Sequence, residues 1–262
     1  MNRINRRLIL LSLPLVAGFL LFYLIPLIGS VRYSFVESAF DQRFIGWKNY
    51  IETLGNRNFQ LSVRNTLELL LAGVPILVAV SLGLALLVKQ VGERTPILRA
   101  ALVLPMLLPS AAVADVFGKL GISSTRMPLL AIYIWKNAGF QMLIFLAAFS
   151  MVPKEIYEAA SMDGANGRQL LFRMTLPMIS GTIVFSVILA AAYNLRLFRE
   201  AYVLYGAYPD QSVYLTQHYM NNHFYKLNYQ KLTTAASMFS CVLFIFVGLG
   251  VRISKKLTEG RG

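Results

Sequence analysis

Charged side chains are scarce in this sequence. Only 14% of its 262 residues are charged, and just twelve of those are acidic. An average soluble domain carries roughly 25% charged residues, enough to clothe its surface. A chain that is 56% hydrophobic has too little polar material for such a surface, so one soluble domain of this size is excluded. Cysteine is nearly missing: Cys241 stands alone in an apolar run, which removes a disulfide framework and any cysteine-based metal site. His218 and His223 lie five apart in a polar stretch without converging ligands, so both are expected to be surface histidines. No G-x-x-x-x-G-K occurs, so no P-loop for ATP is present. There is no internal repeat, no low-complexity tract and no nucleophile–base pair that would support a membrane enzyme.

What the sequence does have is long apolar runs separated by basic clusters. A helix needs ~20 apolar residues to cross the hydrocarbon, and six stretches qualify: Leu8–Ser30, Thr66–Val88, Ala100–Leu120, Met127–Val152, Pro177–Leu197 and Leu232–Ile253. The expected class is therefore an all-α integral membrane protein with six transmembrane helices. Pro14, Pro26, Pro75, Pro105 and Pro109 fall inside these runs. Membrane helices tolerate proline because neighbouring groups satisfy the freed carbonyls. The run from Leu8 is too long for a signal-peptide core and ends without a small-x-small site, so it is expected to be a retained first helix.

The formal charge of +13 would suit nucleic acid, but the basic residues sit between apolar runs, where membrane topology places them. Nucleic-acid binding is therefore not expected. With the N-terminus inside, segments 1–7, 89–99, 153–176 and 252–262 hold thirteen basic residues in 53 positions. The opposite segments carry a lower density, so both termini are expected to be cytoplasmic.

The stretch between the fourth and fifth runs is the most informative. Pro153 suits a helix start, and Glu155 and Glu158 suit the positive end of a helix dipole. Ile156, Ala159 and Ala160 form a small apolar stripe at i, i+3, i+4. Gly164 permits a sharp reversal. Leu170, Leu171 and Phe172, flanked by Arg168 and Arg173, then lead into Leu176-Pro177. The expectation is a helix–turn–helix finger at the inner face, too short to fold alone, whose apolar stripe needs a partner.

This pattern resembles the EAA motif of binding-protein-dependent ABC importer permeases: Glu158-Ala159-Ala160, Asp163-Gly164-Ala165, Phe172 and Leu176-Pro177 stand at the family's spacing. Four further segments are similar to the carbohydrate branch (maltose, multiple-sugar and glycerol-phosphate permeases). They are Phe44-Ile-Gly-Trp-Lys-Asn-Tyr50, Asn65-Thr66-Leu67, Arg99 to Pro105, and Trp135-Lys136-Asn137 to Phe140. The resemblance covers about residues 8–253. Two features depart from it: the connection 118–127 is short, and Tyr205-Gly-Ala-Tyr-Pro209 stands where T-x-G-G-P is usual.

The resemblance implies the transmembrane fold of type I ABC importers. It divides the chain into an N-terminal helix and external segment (1–60), a transmembrane core (61–253) with its coupling loop at 153–178, and a cytoplasmic tail (254–262). It also implies a place in a bacterial inner membrane as one permease subunit of an importer for a sugar or sugar-like solute. Glu158, Ala159, Ala160, Asp163, Gly164, Ala165 and Phe172 would then face an ATPase subunit. The implied partners are two ATP-binding subunits, which hold the ATP and Mg, a second homologous permease, an extracellular solute-binding protein and membrane lipid. No cofactor is expected on this chain. A permease for a non-sugar solute is the near alternative. An ion-coupled secondary transporter would need mid-span carboxylates and a repeat.

For the substrate path, Tyr133, Asn137 and Phe140 share one face of the fourth helix at i, i+4, i+7. Tyr193 and Asn194 lie near the outer end of the fifth, at positions that line the sugar site in maltose-type relatives. Aromatic faces and amides suit a carbohydrate. Among charges in the runs, Asp115 and Lys119 are expected to pair at i, i+4, Glu68 to sit at an interface, and Lys136 to snorkel or face the path.

Overall fold

The computed structural model describes residues 12–38, 41–91, 96–119 and 125–259. The expected start of the first span at Leu8 and residues 120–124 of the short connection 118–127 lie outside these residues. The described chain is almost wholly helical: α1 (Ser12–Tyr33), α2 (Lys48–Leu54), α3 (Arg57–Val91), α4 (Pro96–Leu107), α5 (Ser110–Lys119) and α6 (Arg126–Ser150). The finger follows as α7 (Lys154–Met162) and α8, which runs from Gly167 through Leu170–Thr175 to Met178. Then come α9 (Ser180–Arg196), α10 (Phe198–Tyr205), α11 (Thr216–Tyr225) and α12 (Tyr229–Glu259).

Among the described residues, five segments are long and apolar enough to cross a membrane: α1, α3, α6, α9 with α10, and α12. The third expected span departs from a single straight crossing: α4 and α5 meet at 92°. Pro109 explains the break, because it cannot donate to the preceding turn and its ring drives Leu108 out of the helical region. Pro26 and Pro177 are absorbed differently. Each follows a π-helical stretch, Leu20–Leu24 and Leu170–Thr175, in which the Ile25 and Leu176 N–H groups reach back to Leu20 and Leu171. The wider turn accommodates the carbonyl that the proline leaves unpaired.

Chain contacts define two units. The first joins residues up to Gln60 with Tyr219–Leu243. In it, α1 is apolar on all sides and exposed, as with Leu15 and Phe22 at 77% each. That pattern suits lipid as solvent. The F-x-G-x-x-N-Y segment also has a physical account here. Asn49 Nδ2 donates to the carbonyls of Ser34 and Val36, both at 2.9 Å, while Trp47 and Tyr50 pack on the Phe35 ring.

The second unit holds Leu61–His218 and the segment from Phe244. It has two apolar clusters. Leu77, Leu129, Ile132, Tyr133, Ala190 and Val213 anchor one; Ala85, Val88, Met142, Phe145 and Phe149 anchor the other, on which Tyr157 and Leu176 of the finger pack. The backbones of α4 and α6 come into close contact at Gly139. A Cβ at Gly139 would stand 1.8 Å from the Leu102 carbonyl oxygen. Gly139→Ala must push the two helices apart and is expected to destabilise the protein by about 3 kcal/mol or more. Thermal unfolding in detergent checks this; an unchanged Tm would mean that the helices do not touch there.

His218 corrects a sequence expectation: it is fully buried, not on the surface. Its Nδ1 accepts from the Leu215 N–H at 3.1 Å and its ring packs edge-on against Phe198. Burial pushes its pKa down to about 4, so it is neutral near pH 7 and acts as a cap.

Candidate functional site

The finger begins where Pro153, in an extended conformation, caps α7, with Glu155 in the first turn. Its turn has a defined geometry. The Ala165 N–H donates to the Ala160 carbonyl (3.0 Å) and the Gly164 N–H to Ser161 (3.1 Å), while Gly164 sits at φ +79°. This is a Schellman ending, in which a left-handed residue lets two N–H groups satisfy the last carbonyls. Asp163-Gly164-Ala165 is thus the hinge of the reversal, and only glycine adopts its φ without strain. Asn166 and Gln169 then form a reciprocal capping box at the start of α8. Tyr157 Oη and Thr175 Oγ1, 3.1 Å apart, tie the two arms together.

The expected apolar stripe divides on inspection. Ala160 is buried against its own chain and Ile156 half-buried. The outward face is instead Glu155, Glu158, Ala159 and Met162, at i, i+3, i+4, i+7, with Phe172 exposed on the other arm. Helical rotation causes the difference: sequence spacing says which residues share a face, not which face points out. Met162 at 89% and Phe172 at 58% exposure leave apolar surface open among the described residues, the Phe172 ring meeting the Arg168 guanidinium at 5.9 Å.

In the membrane portion a cavity of about 260 Å³ lies between the α4–α5 break, α6 and the α9–α10 segment. Of the five residues expected to line a path, Tyr133, Asn137 and Tyr193 stand in the wall of this cavity. Phe140 and Asn194 are not in its wall. Phe140 supports the Tyr193 ring edge-on at 6.4 Å. Asn194 is only 3% exposed and is turned inward, its Nδ2 donating to the Leu69 carbonyl at 3.3 Å. Tyr133 is itself held in place by donating to the Ala190 carbonyl (2.8 Å).

Sequence inspection missed two polar elements. Lys136 neither snorkels nor points free: its Nζ donates to Glu200 Oε1 at 2.7 Å, with side chains 13% and 6% exposed. The pair stands in the cavity wall beside Arg196 and Arg199. The second element is a knot around Arg126, which bonds Glu68 and the Ser212 carbonyl and donates to Asn65 Oδ1. Asn65 Nδ2 reaches the carbonyls of Gln211 and Tyr214, and Thr66 Oγ1 accepts from the Thr216 N–H. The Asn65-Thr66 pair therefore pins α3 to the loop before α11, and Glu68 serves that knot. A clue was available in sequence, since charges placed inside apolar runs need partners. Asp115 and Lys119 pair at 2.7 Å, exposed, as the i, i+4 spacing predicts.

Residues 93–259 match the family described as binding-protein-dependent transport system inner membrane component. The chain belongs to that family. Its members are transport components rather than enzymes, and this permease is accordingly a multi-pass inner-membrane protein. It is 31% identical to the arabinooligosaccharides transport system permease protein AraP of Bacillus subtilis, over 79% of this chain and 74% of the relative. It is 29% identical to the probable ABC transporter permease protein YesP of the same organism, over 90% and 85%. The trehalose/maltose transport system permease protein MalF of Thermococcus litoralis is 27% identical over 76% and 77%. In fold, the permease matches a chain of a bacterial ABC transporter involved in the import of the acidic polysaccharide alginate. The TM-score is 0.78 at 24% identity, covering 97% of this chain and 98% of that one. That likeness shows a common transmembrane fold.

Proposed function

We propose that this permease is one transmembrane subunit of an ATP-driven importer for a sugar or oligosaccharide. The observation that carries the reading is the finger: a capped helix pair whose outward face, Glu155, Glu158, Ala159 and Met162, is exposed among the described residues. Such a face needs a protein partner with a groove and basic groups. Two ATPase subunits that hold ATP and Mg supply the energy, and a solute-binding protein delivers the substrate outside. A second homologous permease completes the pore. Residues 61–253 act as the transmembrane core, and closure of the ATPases moves the finger and rocks the helices around the cavity. The sugar assignment is supported by the similarity to the arabinooligosaccharide and trehalose/maltose permeases. It is also supported by the pairing of tyrosine rings with an amide in the cavity wall.

Asn137 carries the test of this cavity. Its Nδ2 donates to the Tyr133 carbonyl at 2.7 Å within the same helix, so its removal breaks no contact between helices. Asn137→Ala is expected to weaken uptake about threefold to tenfold, the loss of one hydrogen bond, while basal ATP hydrolysis and assembly persist. Unchanged uptake at limiting substrate would move the sugar elsewhere. Asn194→Ala, by contrast, is expected to lower stability, because it removes a buried bond between α9 and the Leu69 carbonyl of α3 and leaves a void there.

Both termini are placed on the cytoplasmic side by the basic ends. Single cysteines at the exposed positions Gly55 and Gln211, in a Cys241→Ser background, are expected to react with an impermeant thiol reagent on intact cells. A cysteine at Lys256 is expected to stay unlabelled, and the reverse pattern would invert the orientation.

A further inference from the structure

Away from the proposed path, where α3 ends, α4 begins and α6 runs into the finger, the second unit holds a cavity of about 780 Å³. That is within the roughly 300–1,000 Å³ of ordinary small-molecule sites. Its wall has two halves of opposite character. Lys89, Arg99 and Lys154 supply three cations; Leu143, Leu146 and Phe149, from the last turns of α6, supply an apolar surface. The lining includes no carboxylate among the described residues. Among the described residues, no acidic group pairs with any of the three cations.

Two of these cations have defined positions at the cavity wall, although Lys89 is also exposed to solvent. Lys89 Nζ stands over the rings of Phe149 and Tyr157, 5.2 and 4.7 Å from their centroids, so its charge is fixed at the wall. Arg99 is half-buried, and its Nε is buried with no hydrogen-bond partner. A buried guanidinium donor without an acceptor is costly, and the planar fork matches phosphate oxygens two at a time. The missing partner is therefore an oxyanion. A soluble anion would satisfy the cations but leave half-buried Leu143 and Leu146 and exposed Ala147 facing water. A molecule with a phosphate at one end and hydrocarbon at the other satisfies both halves. The site lies at the helix ends, where headgroups meet acyl chains, and basic pockets between membrane helices suit anionic lipid headgroups.

We infer that this cavity binds the phosphate of an anionic phospholipid, with its acyl chains along the α6 wall. The bound headgroup bridges α3, α4 and the first turns of the finger through Lys89, Arg99 and Lys154. The leaflet, cytoplasmic, follows from the orientation proposed above; the site itself does not depend on it.

The test uses the full-length chain, purified with the subunits that accompany it and released from nanodiscs of mixed phosphatidylglycerol and phosphatidylcholine. Native mass spectrometry then counts retained lipids, a readout independent of transport and of ATP hydrolysis, so it can fail without touching the importer assignment. Wild type is expected to retain phosphatidylglycerol in preference to phosphatidylcholine, and millimolar inorganic phosphate to leave that count unchanged. The double variant Lys89→Gln/Arg99→Gln is expected to bind phosphatidylglycerol on the order of twenty-fold more weakly, about fivefold per cation removed. Ala147→Trp, at an exposed position in the lining, keeps every cation while filling the apolar wall. It is expected to lose the lipid to a similar extent, and it decides the matter if the double variant misfolds. Equal retention in wild type and Ala147→Trp, equal retention of phosphatidylcholine, or displacement by inorganic phosphate would each overturn the proposal.

Discussion

Replacing Glu158 with Lys, or Gly164 with Pro, is expected to reduce substrate-stimulated ATP hydrolysis to the basal level while the permease still inserts and assembles. The two substitutions reach this end by different physics. Glu158 is exposed on the outward face of α7, so its reversal leaves the chain's own packing intact. It changes only what a partner meets, turning an attraction to basic groups into a repulsion that costs several-fold or more in docking. Gly164 acts on shape. Proline is locked near φ −65°, whereas this residue sits at φ +79° and donates its N–H to Ser161. The substitution therefore removes the left-handed residue and one of the two capping bonds together. ATPase assays on the reconstituted transporter, with a pull-down of the ATPase subunits alongside, check both. Uptake and stimulated hydrolysis at wild-type rates in both variants would remove the finger from coupling.

The largest expected effect on stability is at the Lys136–Glu200 pair. Both side chains are nearly buried and lie 2.7 Å apart. Removing either partner strands a charge in a low-dielectric site, which typically costs about 3–5 kcal/mol. Lys136→Ala and Glu200→Ala are each expected to lower the Tm in detergent markedly. The double replacement Lys136→Met/Glu200→Leu is expected to recover most of that loss, because well-packed apolar groups substitute for such a pair at little net cost. Single variants that cost below about 1 kcal/mol, as exposed pairs do, would show that water reaches the site.

The finger was legible from sequence to nearly residue resolution because its determinants are local. Pro153, Asp163-Gly164-Ala165 and Asn166 with Gln169 are all caps whose bonds span five residues or fewer. Its outward face was not legible. Ile156, Ala159 and Ala160 share a stripe, but only the packing of Tyr157 and Leu176 on the inner cluster turns Ala160 inward and Met162 out. Asn194 shows the same limit. It lies near the C-terminal end of α9, and the rotation of that helix about its own axis gives its amide to Leu69 instead of the cavity. The histidines fail for a related reason: a polar stretch need not be a surface one, and His218 lies inside.

By itself, the sequence determined the membrane class, the six apolar segments, the break-prone prolines and the position and turn of the finger. Each of these follows from hydropathy, helical period or cap chemistry over short stretches of chain. Tertiary structure alone decided the knot joining Asn65, Glu68 and Arg126, and the meeting of Lys136 with Glu200 across 64 positions. Those depend on how far each helix is rotated and shifted against its neighbours. Side-chain packing sets that rotation, and an apolar run of ~20 residues satisfies the bilayer equally well in any of them.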